Sequence, residues 1–173
     1  MKTRSNIGHR PNLSTLRAEL HYLLATFLAS NEIARTAAEE FEAHRLFFDF
    51  REMEADAITK LLLSIAVTLR VLDDREDGTL EMMSLYCGLL VKDLSDPPGT
   101  TQGLSLREAC NKIIHAKTVE FDRDETPGAH PHLKAFVYLA GQDQRRRQWT
   151  ANVNVVHFVR ECMSGLSLIQ QDQ

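Results

Sequence analysis

The sequence predicts a mainly α protein: a bundle of four to five helices with a small antiparallel β-hairpin inserted before the last helix. Three observations carry that prediction. Apolar residues recur every three or four positions from Leu16 to Leu90 and again from Val155 to Ile169, the rhythm of helices with one buried stripe. Between Thr118 and Val153 the period drops to two, as in strands. The chain has 173 residues, 43% apolar and 25% charged, which suits one domain over 1–173 that buries a core without disulfide or metal.

Taken in order, the first stripe is Leu16, Leu20, Leu23, Phe27, Ala34, Ala37, Phe41, His44 and Phe48, with Ser30 filling its one gap. It reads as one helix over 13–48 or as two broken near Ser30–Asn31, since both residues cap well. Ile58, Leu62, Ile65, Leu69 and Leu72 mark a second helix, ending in the charged Asp73–Gly78 turn. Leu80, Met83, Cys87 and Leu90 suggest a short third, and Asp96–Thr100 is a loop. Ser105-Leu106-Arg107-Glu108 is a capping box that opens a helix running to about Lys117. Then come the β positions: Val119 and Phe121, a Pro127–Gly128 turn, and Leu133, Ala135, Val137 and Leu139 on one face. Trp149, Ala151 and Val153 offer a third strand before the last helix, so 118–153 forms the inserted hairpin region.

Several functional classes are excluded or disfavoured at this level. The longest apolar run, Leu61 to Leu69, is about half of a membrane span, and no apolar stretch follows the N-terminal residues as in a secretory signal. Cys87, Cys110 and Cys162 are dispersed within apolar patterns, as in reduced cytoplasmic proteins, and show no zinc spacing. A cytoplasmic protein without cofactor or metal is therefore expected. The net charge of −4 gives no general attraction to nucleic acid, so such binding needs a local patch. No Walker loop, dinucleotide turn or nucleophile elbow is present.

Arg107, Asn111 and His115 stand four residues apart, twice over, and form one stripe beside the apolar face of their helix. Such a stripe offers a guanidinium for a phosphate, an amide to orient it and an imidazole that exchanges protons near neutral pH. The same residues have plain structural uses: His115 bonded at a helix end, Asn111 anchoring a loop, Arg107 solvated. Ala109-Cys110-Asn111-Lys112-Ile113-Ile114-His115-Ala116 resembles the motif of the HEPN superfamily, in which Arg precedes His by four to six residues, commonly as Arg-Asn-x-x-x-His. Asn111 and His115 match position by position. Cys110 stands where that motif has Arg, and Arg107 lies three residues early.

The resemblance implies a small helical bundle that dimerises and binds RNA, with the Arg and His of two subunits cutting it without metal, in toxin or phage-defence systems. It equally implies a non-catalytic dimerisation or protein-interaction module, since many members have lost the motif. A homodimer is expected on either reading, because the stripe from Leu16 to Phe48 is very long for one chain to cover.

Two other segments stand out. Arg145, Arg146 and Arg147 followed by Trp149 could grip phosphates and stack a base, or form a solvated hairpin tip with the indole inward. His130 and His132 point to opposite faces of an extended stretch and make a poor metal pair.

Overall fold

The computed structural model describes residues 11–39, 41–75, 84–95, 100–126 and 130–171. The order of elements is α1 (Leu13–Glu39), α2 (Phe41–Arg75), β1 (Tyr86–Val91), β2 (Thr101–Ser105), α3 (Leu106–His115), β3 (Thr118–Asp124), β4 (His132–Gln142), β5 (Gln148–Asn154) and α4 (Val155–Gln171). The fold is α+β, not a helical bundle with a hairpin insertion. Its five strands form one antiparallel sheet in the order β2-β1-β5-β4-β3. The predicted hairpin region supplies three strands, and β5 closes against β1, which precedes α3 in the chain.

That closure explains the miss at Leu80–Leu90. Cys87 and Leu90 do face the core, but as strand residues. Gly88 sits at a register irregularity beside Asn152, where an added Cβ would lie 1.9 Å from the Asn152 carbonyl oxygen. Only a residue without a side chain lets β1 approach β5 there. The predicted positions Leu80 and Met83 and the Asp96–Gly99 and Pro127–Gly128 turns lie outside the described residues.

Helix α1 runs through Ser30–Asn31 without a break to Glu39, and α2 begins at Phe41. Asn12 caps the start, its side-chain oxygen accepting from the amides of Ser14 and Thr15. The second stripe belongs to the same helix as Phe47 and Phe48, so α2 is far longer than the pattern from Ile58 suggested. The two helices are antiparallel, and Ser64 donates to Glu19 across them at 2.7 Å. Ser30 fills its gap for a reason: its buried hydroxyl accepts the Leu133 amide at 3.0 Å, tying α1 to the start of β4.

Helices α1, α3 and α4 cover one face of the sheet, and α2 packs outside them on α1 and α3. The core between sheet and helices joins Leu16, Leu20, Leu23 and Phe27 to Ile65, Leu69, Leu90, Cys110, Val137, Val153 and Phe158. The stripe that suggested a dimer is thus covered within one chain through Ala37. A smaller cluster of Ala34, Ala37 and Phe47 closes the far end of the α1–α2 pair. Among the described residues, the sheet's other face carries no helix.

Candidate functional site

The capping box forms as predicted at its serine: Ser105 accepts the Glu108 amide at 3.3 Å and starts α3. The Glu108 carboxylate turns instead along the helix, to Lys112 at 3.3 Å and to the Asn111 amide at 3.5 Å. Arg107 faces away from both. Its guanidinium pairs with Asp73 and, at 3.0 Å, with Asp74, both on α2. Asp73 is only 2% exposed, and Arg70 reaches it from its own helix at 3.1 Å. Arg107 therefore neutralises a buried carboxylate and fastens α3 to α2.

His115 is exposed at the last position of α3. With Asn111 it lines a recess of about 330 Å³ completed by Lys112, Gln142, Asp143, Gln144 and Trp149. The stripe thus splits: Asn111 and His115 share this recess, whereas Arg107 does not line it. Eight helical steps set Arg107 and His115 about 12 Å apart along the axis, and the ion pairs with α2 hold the Arg107 guanidinium away from the recess.

The basic cluster lies on the β4–β5 turn, and its arginines are differently employed. Arg147 donates to Asp143 Oδ2 through Nε at 2.7 Å, while Asp143 Oδ1 accepts the backbone amides of Arg145 and Arg147. Burial alone would raise the Asp143 carboxyl, but these hydrogen bonds hold it below the ordinary carboxylate value. Arg146 takes a left-handed backbone, φ 62°, to close the turn. Trp149 is 1% exposed. Its ring lies on Gly141, where an added Cβ would sit 2.4 Å away, and under the Lys112 ammonium 4.3 Å from its centroid. An indole so enclosed has no face open to a base, and it packs inward as the second sequence reading has it. His130 stacks near Phe47, 4.7 Å between ring centroids, with Phe48 beside it.

The larger opening is one that the sequence reading missed. Register places Leu89, Asn152, Tyr138 and Glu120 in one row across the helix-free face of β1, β5, β4 and β3. A second row runs Thr101, Val91, Thr150, Ala140 and Thr118. These rows line a hollow of about 500 Å³. Leu89 is 54% exposed and Tyr138 42%. Asn152 lines the hollow, and its Oδ1 is buried and has no hydrogen-bond partner among the described residues. A signal for this face is present in the sequence: Ala135 to Ala140 is apolar at every position, more than a sheet covered on one side needs.

The thiols are poor nucleophiles. Burial pushes Cys87 up to about 12 and raises Cys110 and Cys162 as well. Among the described residues no group of His, Cys, Asp and Glu could hold a metal ion, and no helix is long and apolar enough to cross a membrane. No family model matches the chain, and no curated protein or solved structure shows significant similarity to it.

Proposed function

We propose that this chain is a non-catalytic binding domain whose helix-free sheet face takes a small, largely apolar molecule. The observation that carries this reading is the hollow of about 500 Å³ on that face. An antiparallel sheet covered on one side ordinarily alternates apolar and polar residues, leaving the outer face hydrophilic. Here the outer positions of the central strands include Leu89, Val91, Tyr138 and Ala140. Uncovered apolar surface of this kind marks a binding site, and the volume falls within the ~300–1,000 Å³ of small-molecule pockets. A few polar groups, Thr118, Thr150 and Asn152, stand among the apolar ones, the mixture that orients a ligand. The diversion of Arg107 into ion pairs with α2 weighs against metal-free RNA cleavage by the α3 stripe, because the cation is spent on structure.

A neutral fluorescent probe, N-phenyl-naphthylamine, tests the reading. It should bind saturably, one per chain, and Leu89→Glu should weaken it by about tenfold or more while leaving the unfolding transition in place. Absence of saturable binding, or binding indifferent to a charge at Leu89, would refute it. Light scattering on the same variant covers the rival occupant. If Leu89→Glu converts a dimer to a monomer, the face pairs with a second copy.

A further inference from the structure

We infer that the molecule held on the sheet face is an amphiphile, an apolar body ending in a carboxylate, whose anionic head pairs with Lys117 at the end of the sheet beside the β4–β5 turn. The inference rests on the binding reading above and gives its ligand a chemical class. A second recess, of about 250 Å³, adjoins the hollow and shares Thr118 and Ala140 with it. Leu94, Lys117, Gln142 and Gln148 stand among its other walls. The opening therefore continues past the row of Val91, Thr150, Ala140 and Thr118 to the Gln142–Gln148 pair, about 7 Å further along the strands. Its character changes on the way, from apolar to polar with one cation. The Lys117 amide donates to the Ala140 carbonyl at 2.8 Å, which seats the residue beside the recess. Its ammonium donates to Gln142 Oε1 at 2.6 Å, a neutral acceptor, and among the described residues no carboxylate pairs with it.

Charge along the face gives the ligand a direction. Glu120 lines the hollow one row before Thr118, and Asp122 and Asp124 follow on β3, with Lys134 3.6 Å from Asp122. That part of the face repels an anion. At the other end the carboxylates are already engaged: Asp143 accepts from Arg147, and Asp93 accepts from the Ser95 amide and hydroxyl. Lys117 is left unneutralised there, with the exposed Arg145 and Arg146 of the turn adding to the positive potential. A carboxylate thus finds its favourable end at Lys117, while the apolar body lies back over Ala140, Tyr138 and Leu89.

Three ten-carbon ligands of one outline separate this inference from the reading beneath it. Decanoate, decanol and decylammonium are titrated as competitors of the neutral probe at low salt. The wild-type chain should bind decanoate about threefold to tenfold tighter than decanol, the range between an exposed ion pair and a charge-assisted hydrogen bond. Decylammonium should bind no tighter than decanol. The chain's net charge of −4 favours the ammonium everywhere else, so a preference for the anion reports the site and not general attraction. Lys117→Gln should remove the decanoate advantage, leave decanol as tight as before and keep the unfolding transition in place. Lys117→Glu should turn the preference to decylammonium. Equal competition by decanoate and decanol in the wild type, or a decanoate preference that survives both substitutions, overturns the inference and leaves the apolar site standing. Failure of all three to displace the probe overturns the site and the inference together.

Discussion

The two faces of the one sheet are built to different rules. On the helix side, Leu90, Val137, Leu139, Ala151 and Val153 are 0–3% exposed and meet α1, α3 and α4. On the other side, their immediate neighbours Leu89 and Tyr138 remain about half exposed, though just as apolar. Burial, then, is not set by residue type here; it is set by which side of the pleat a residue occupies. The covered face accounts for the folding of the chain. The uncovered one is the face on which the proposed binding rests.

The largest expected effect lies in the backbone that joins the halves of the sheet. Gly88→Ala drives a Cβ into the Asn152 carbonyl, a backbone atom that no rotamer change can move aside. The β1–β5 pairing should be lost, and circular dichroism should report no cooperative native transition. A stable, native-like variant would mean that the faces are less rigidly paired than described.

The adjacent leucines give the sharpest contrast. Leu90→Ala should destabilise the chain by about 2–5 kcal/mol, the range for a buried leucine, and Leu89→Ala by no more than about 0.5 kcal/mol. Urea denaturation of both variants checks the pair. Similar losses at the two sites would mean that the outer face is covered in solution.

Arg107→Ala comes next. Asp73 keeps Arg70, so its carboxylate is not orphaned, and the expected cost is about 1–2 kcal/mol. A silent substitution in thermal denaturation would free Arg107 for the role that the α3 stripe suggests.

The smallest effect is local and pH-dependent. Because the folded state holds the Asp143 carboxyl low, its contribution is present above the unfolded value of about 3.9 and is lost as pH falls through the folded one. Amide resonances of Arg145 and Arg147 should therefore titrate with a midpoint below the ordinary carboxylate value of about 3.9. Asp143→Asn should abolish that titration while leaving the global fold intact.

Local signals in the sequence were enough for some elements and not for others. Ser105 announced α3 because a cap is a matter of four consecutive residues. The stripe from Leu16 to Ala37 and the alternation after Thr118 were equally readable, each being periodic within itself. β1 was not, since the run from Leu85 to Val91 is apolar on both sides of the pleat and satisfies either period. Its pairing with β5 joins residues 59 to 65 positions apart, which no local pattern encodes. Asp73 is likewise thirty-four positions from Arg107, so a side chain with a buried partner passed for a solvated or catalytic one. Asn111 and His115 do share an opening, as adjacent turns of one helix must.

The three cysteines have a consequence for how the chain opens and closes. Cys87 lies on β1, Cys110 on α3 and Cys162 on α4, and each is a free, buried thiol whose ionisation burial suppresses. An alkylating reagent reacts with the thiolate, so each position is silent until its own element comes away from the core. The labelling rate of each then reads the population of that opening and turns the chain into its own three-channel clock. A faster rate at Cys162 than at Cys87 would show the C-terminal helix leaving before the sheet parts, whereas equal rates at all three would show that the layers separate only in global unfolding.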